Sequence, residues 1–325
     1  LIADYYPPSR RSTALGYYAM GVTLGGLLAN VIGGPITDAY GWRMAFFVVG
    51  LPGLLVAIIF KLTVKEPPRG YTDPPGTVRK ARPRFADGIK ELMAKPSFWW
   101  MTAGATIASF CGYGIASFQS LFINRSFELT AGQAAIYINA PVAASAATGW
   151  LAERMVKRHP NAIGWLPGVG LTLSVPFYFL AFTTQNLALC LFGLIIGGGV
   201  KYGYLASQYT IGQGVVSAQF RAVATAILLF VINLLGYGLG PLFIGALSDL
   251  LFKVKVANLG AAELTRQACE GAARKALGAA DQAVCAVAHP ESLQHSMLIT
   301  SALYAVAGLC FFMTCRWLKR DMVAK

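Results

Sequence analysis

The 325-residue chain is 56% hydrophobic and only 13% charged, about half the charged content of a soluble globular domain, which excludes an ordinary water-soluble fold. Its formal net charge of +13 would suit a nucleic acid, but the charges sit between long uncharged runs, so the implied partner is a lipid bilayer and no nucleic acid is expected. No metal or cofactor is expected either: Walker, Gly-x-Ser-x-Gly, His-Glu-x-x-His and Cys-x-x-Cys patterns are all missing, and the three histidines stand apart from other ligands. Without these groups the chain does not read as an enzyme.

The uncharged runs cover 12–37, 44–60, 96–124, 129–152, 160–200, 222–247 and 296–315, and a membrane span needs roughly 20 such residues. The run 160–200 holds two spans divided by Thr183-Thr-Gln-Asn186. Eight spanning helices are therefore predicted, near 11–35, 42–60, 98–123, 130–153, 162–183, 187–209, 221–248 and 296–316. A helix end at 1–6 precedes them, and about four further helices are expected upstream of Leu1. The segment 61–97, with six prolines and nine basic residues, reads as a linker outside the membrane. Within it Phe85, Ile89, Leu92 and Met93 have helical spacing, which predicts a short helix on the membrane surface. The remaining long segment, 253–295, is expected as an external loop. There Cys269 and Cys285 form either a disulfide or two free thiols. If the spans alternate, 19 of the 27 lysines and arginines share the side of Arg11, seven lie opposite, and Lys201 lies between. This asymmetry puts linker 61–97 and the C-terminus in the cytoplasm of a multi-pass protein of the cell (inner or plasma) membrane.

One pattern occurs twice. Arg11-x-x-Ala, a Gly-rich run and Gly34-Pro-Ile-Thr-Asp38 correspond to Arg221-x-x-Ala, a Gly-rich run and Gly245-Ala-Leu-Ser-Asp249. Two units in one direction are the mark of the parallel repeats that build transporters. Gly21, Gly25, Ala29 and Gly33 form one small-residue ridge, and Gly236, Gly240 and Gly245 a second. Such ridges let helices pack closely. Pro241 removes a backbone donor and is expected to kink its helix.

Lys201 is the lone charge deep in an apolar span, roughly 12 Å of helix from the nearest end at 1.5 Å per residue. A cation at that depth faces a wet cavity or a buried acid. Tyr204 and Gln208 share its predicted helical face, at i+3 and i+7. In the span 98–123, Thr102, Thr106, Ser109, Tyr113, Ser117 and Ser120 make a polar stripe with Gln119 beside it. Asn233 and Tyr237 add a smaller polar pair. Together Lys201, Tyr204, Gln208, Tyr113, Gln119, Asn233 and Tyr237 are the candidate cavity residues, the competing reading of the stripe being helix–helix hydrogen bonding.

The turn Gly149-Trp-Leu-Ala-Glu153-Arg154-Met-Val-Lys157-Arg158 resembles the loop signature of the major facilitator superfamily, with Glu for Asp and Val156 for an inner Gly. The segments Asp4–Ala14, Gly41-Trp-Arg43 and Arg221–Ala226 also resemble that superfamily, and Gly238–Asp249 with the long external loop is similar to its Spinster-like branch. The resemblance implies an all-α, polytopic helical bundle in which eight of twelve helices are present. Residues 1–60 would then end the first six-helix half and 98–325 form the second. It implies a secondary transporter, proton-linked or facilitated, with branch members that move lysolipids and sphingosine phosphates. Gly149, Glu153, Arg154, Arg158, Arg221 and Arg11 are the expected gating residues, because a carboxylate at a helix end attracts the start of another helix. The helix opened by Arg221 is the expected partner of Glu153. Other readings are an organic-acid or anion symporter and a membrane receptor or scaffold. The expected partners are a small organic or lipid-like solute, the bilayer and protons, and the expected state is a monomer.

Overall fold

The computed structural model describes residues 8–64, 85–138, 162–269, 273 and 275–322. Among the described residues every regular element is helical and no strand occurs. The helices are α1 (Pro8–Tyr40), α2 (Trp42–Thr63), α3 (Phe85–Met93), α4 (Pro96–Phe127), α5 (Ala131–Tyr137), α6 (Ala162–Thr183), α7 (Leu187–Lys201), α8 (Tyr204–Gly214), α9 (Arg221–Val231), α10 (Leu239–Asn258) and α11 (Ala279–Asp321). Five helical stretches are long and apolar enough to cross a membrane: Trp42–Thr63, Pro96–Phe127, Ile163–Thr183, Arg221–Asn258 and Ala279–Asp321. Helix α1 has the length for it, but glycines and tyrosines dilute its apolar content. The predicted span 130–153 is described only as far as Ile138.

The described residues fall into two compact units, 1–82 with 130–143 and 83–129 with 144–325. In the first, α1 turns into α2 through Gly41, whose φ of 81° and ψ of 162° are essentially open only to glycine. Thr130 starts α5 with a capping box: its hydroxyl accepts from Gln133 N, and the Gln133 amide oxygen accepts from Thr130 N. Two of the orphan donors at that helix start are thereby satisfied. Helices α1 and α5 cross at Gly34 and Gly132, where a Cβ on Gly34 would lie 2.9 Å from Ala135 Cβ and 3.0 Å from Gly132 Cα. At the crossing Asp38 Oδ2 accepts from Thr130 Oγ1 at 2.7 Å and from Gly132 N at 2.9 Å.

The second unit is packed through small residues. Gly104 of α4 lies against Phe311 and the Ala307 carbonyl, Gly308 of α11 against α6, and Gly193 and Gly197 of α7 against Phe177. Such contacts replace hydrophobic burial as the driving force where the solvent is lipid. The path from Arg221 to Asn258 is not uniform. Residues Ile232–Tyr237 wind as a π-helix, in which Gly238 N donates to Asn233 O at 3.0 Å. Proline has no N–H for the carbonyl four residues back, here Tyr237, so the widened turn just before Pro241 is where its disruption is absorbed.

Two expectations need correction. The span 187–209 is not continuous: α7 ends at Lys201 and α8 begins at Tyr204. The segment 253–295 is not mainly loop. Helix α10 continues to Asn258 and α11 begins at Ala279, because polar residues end an apolar run without ending a helix. Between them Cys269 and Cys285 are joined, their Cα atoms 5.3 Å apart, which resolves the thiol alternatives in favour of a disulfide. Phe252, Val256 and Ala288 bury against the bridge, with Leu264, Leu277 and Val284 beside them. This outer end therefore has a core of its own.

Candidate functional site

The break between α7 and α8 falls at the one charge inside the span. Tyr202 N donates to Gly199 O at 3.2 Å and Leu205 N to Tyr202 O at 3.1 Å, both tight 3₁₀-type bonds spanning the interruption. Irregular backbone at membrane depth is tolerated where protein or a cavity surrounds it. Here protein does, and the Lys201 side chain is only 7% exposed.

Three tyrosines enclose the ammonium. Nζ donates to the Tyr304 hydroxyl at 3.1 Å and lies 5.2 Å from the Tyr202 ring centroid and 5.5 Å from those of Tyr178 and Tyr304. A cation over an aromatic face is attracted to the ring quadrupole, more strongly when desolvated. Tyr178 and Tyr304 stack at 5.5 Å, which holds their rings in place. Gly112 of α4 closes the other side, since a Cβ there would sit 3.6 Å from Nζ. Among the described residues no carboxylate pairs with Lys201. Among the described residues its partners are the Tyr304 hydroxyl and the π-faces of Tyr178, Tyr202 and Tyr304.

Two more candidates lie on α8. Tyr204 is buried with its hydroxyl 3.2 Å from Ser109 Oγ, so α8 meets the polar stripe of α4. Gln208 is buried, and its Oε1, like Thr102 Oγ1 and Thr106 Oγ1, has no hydrogen-bond partner among the described residues. Buried polar atoms without partners are rare enough to need an explanation. Higher on α4 the stripe opens. Tyr113 is 50% exposed and stacks on Tyr237, ring centroids 3.8 Å apart. Asn233 is exposed and gives an amide hydrogen to Leu229 O of its own helix at 2.7 Å, while Gln119 is half-buried. The structure thus brings Tyr204 and Tyr237 to the same Ser109 hydroxyl, with Tyr113 stacked on Tyr237, while Lys201 sits among Tyr178, Tyr202 and Tyr304. Tyr304, Tyr178 and Tyr202 were missed, although each lies in an otherwise largely apolar or glycine-rich stretch.

The gating candidates fare differently. Gly149, Glu153, Arg154 and Arg158 lie outside the described residues, and for Arg11 only the backbone of α1 is described. Arg221 is exposed at the start of α9. Among the described residues, Glu91 of α3 reaches the turn just before that start, accepting from Ser217 N at 2.7 Å and from Ser217 Oγ at 3.0 Å. At Gly21, Gly25 and Gly33 an added Cβ meets no described residue within 4 Å, whereas at Gly240, next to Pro241, it would collide with the Phe110 carbonyl.

A helical bundle with spanning lengths, glycine-mediated crossings and an interrupted helix around a buried cation defines a polytopic membrane protein. The chain belongs to the Major Facilitator Superfamily, whose family profile matches residues 1–241. It is 26% identical over 99% of its length to an MFS-type efflux pump of Mycolicibacterium smegmatis, covering 67% of that protein. It is 25% identical over all of its length to spinster homolog 3 of Danio rerio, covering 63%. Of spinster homolog 1 of Xenopus laevis it covers 53%, so the chain spans about half to two thirds of the curated relatives it matches. The crystal structure of a bacterial homologue of the human lysosomal transporter Spinster, inward-facing and unoccupied, superposes with a TM-score of 0.88 at 34% identity. That match covers 99% of this chain and 74% of the other. The superfamily fold expected from the loop signature and the Spinster-like resemblance read from Gly238–Asp249 are both upheld.

Proposed function

We propose that this chain is most of a secondary active transporter that moves an anionic or amphipathic organic solute by rocker-switch alternating access. The observation that carries the reading is the Lys201 ammonium, buried without a carboxylate among the described residues and ringed by Tyr178, Tyr202 and Tyr304. A cation kept at that cost is a functional device by default, and a negatively charged solute group is its natural complement. The stacked Tyr113–Tyr237 pair supplies an apolar face with polar rims for the rest of the solute. In this reading 1–60 completes the first six-helix half, 98–325 forms the second, and the linker and C-terminus are cytoplasmic. The protein works as a monomer in the cell membrane and draws on protons. Relatives described as spinster proteins support a lysolipid- or sphingolipid-like solute.

A second reading has an observation of its own: a 25% identical relative from Acinetobacter baylyi is a cis,cis-muconate transport protein, which favours an organic acid. Counterflow in proteoliposomes of the full-length protein, with labelled lysolipid against organic acids, separates the two. In the same assay Lys201→Ala is expected to lower uptake at least about tenfold, equivalent to ~1.4 kcal/mol, with Lys201→Arg losing less. An unchanged rate in Lys201→Ala removes the site from the mechanism.

A further inference from the structure

Helix α3 is held to the second unit by one flank. Gly88 sits where a Cβ would lie 3.0 Å from Phe220 and 3.1 Å from Val223, Leu92 is fully buried, and Glu91 grips Ser217. Trp99 Nε1 donates to the Leu92 carbonyl at 3.1 Å, fixing the end of α3 against the start of α4. The adjoining flank is different. Phe85, Ile89 and Met93 recur every fourth residue and are 58%, 37% and 65% exposed, so they form one apolar line along the helix that no described residue covers.

Basic groups lie on α3 and at the end of α11. Lys90 is exposed on α3, and Arg316, Lys319 and Arg320 are exposed at the end of α11. The end of α11 is tied to the junction between α3 and α4. Lys95 Nζ donates to Asp321 O at 3.0 Å, and Asp321 Oδ2 accepts from Ser97 N at 3.0 Å. Arg320 stacks over Trp317 at 4.6 Å. The Asp321 carboxylate is buried and already committed to Ser97 and Arg320, so it leaves the surrounding positive charge in place.

An apolar line beside exposed cations and tryptophan has the chemistry of the layer between lipid headgroups and acyl chains. The excess of positive charge selects negatively charged headgroups. We propose that α3 and the end of α11 form a docking surface for an anionic bilayer surface, with Phe85, Ile89 and Met93 entering the acyl boundary and Lys90, Arg316 and Lys319 meeting the headgroups. The inference stands on the membrane placement of the chain and not on any transported solute. Because Glu91 of the same helix holds Ser217, lipid seating and the start of α9 are mechanically linked.

The test places a spin label at Met93→Cys or, on the polar side of α3, at Asp87→Cys in the full-length protein. The protein is reconstituted in phosphatidylcholine vesicles with or without phosphatidylglycerol, and the unsubstituted protein with its native free cysteines sets the background. In phosphatidylglycerol the Met93 label should collide several-fold more with oxygen than with a water-soluble nickel chelate, and the Asp87 label should show the opposite preference. Lys90→Glu with Lys319→Glu should cancel the gain from phosphatidylglycerol while the melting temperature stays that of the parent. Equal nickel access at both labels overturns the proposal. So does burial of Met93 that ignores lipid charge, and so does label–label broadening that grows with protein density, the sign of a second copy covering the face.

Discussion

The two copies of the repeated pattern, α1 and the path from α9 to α10, share their landmarks and differ in what those landmarks touch. In the second copy the glycines are crossing points. Gly236 packs on Ser109 at a distance where a Cβ would be 3.0 Å away, and Gly240 lies on the backbone of α4 so closely that Gly114, opposite, also has no room for a side chain. In the first copy the matching ridge of Gly21, Gly25 and Gly33 meets no described residue within 4 Å, and the described crossing is made by Gly34 against Gly132. The closing carboxylates diverge as well. Asp38 gathers a hydroxyl and a backbone N–H at the start of α5, whereas Asp249 pairs with Arg266. A ridge of small residues grants permission for close packing, and the neighbour decides whether it is used.

The largest effect that separates the copies is steric. Gly240→Ala puts a methyl into the Phe110 carbonyl, which belongs to a helix backbone and cannot swing aside, so a loss of about 1–3 kcal/mol or more is expected. Gly25→Ala adds a methyl that meets no described residue within 4 Å and should be neutral or slightly stabilising, since alanine is the better helix former. Thermal melting of the two variants in one detergent reads the contrast directly. Equal melting temperatures would mean that the α4–α10 crossing is looser than its geometry.

The outer ends of the two copies offer the next contrast. Beyond Asp249 the chain is stapled by Cys269–Cys285, with a sequence separation of 16. Closing a loop of that size stabilises by about 3 kcal/mol in the chain-entropy model. Reduction should therefore lower the protection of amides around Phe252, Val256 and Ala288, the residues packed on the bridge, and leave α1 and α5 unchanged. Hydrogen exchange with and without reductant checks this, and loss spread evenly over both regions would refute it.

How legible these features were depends on the physical signal each one leaves. Lys201 was plain because one charge in an apolar run has no ordinary explanation. The helix break beside it was not, since Gly197–Gly203 reads equally well as a smooth packing face. Tyr178 and Tyr304 escaped notice because an aromatic residue in a span looks like packing until a cation is placed beside it. The amphipathic line in 85–93 was visible, but Gly88 and Leu92 divide it into a docked and an open flank, and only contacts reveal that. The second half of α10 and the start of α11 were mistaken for loop because Lys253, Lys255 and Glu291 interrupt apolarity. Helix formation needs only backbone hydrogen bonds, and a Lys255–Glu291 ion pair at 2.5 Å ties those two polar stretches together.

The smallest expected difference lies in the paired carboxylates. Asp38→Asn keeps the shape but removes the charge from two hydrogen bonds at a helix start. A charge-assisted bond contributes roughly 1.5–3 kcal/mol when shielded. Asp38 is itself exposed and its bond to Thr130 lies at the surface, so a net loss of about 1 kcal/mol or less is expected from its two bonds. Asp249 is 56% exposed where it meets Arg266, and pairs open to solvent contribute about 0–1 kcal/mol. Asp249→Asn should thus change stability by less than Asp38→Asn, and salt should shrink the Asp249 effect further because exposed charges are screened. Melting curves of both variants at low and high ionic strength give the comparison. Should Asp249→Asn cost more, or keep its cost in high salt, the ion pair would be shielded from solvent and the expected order of the two carboxylates would be wrong.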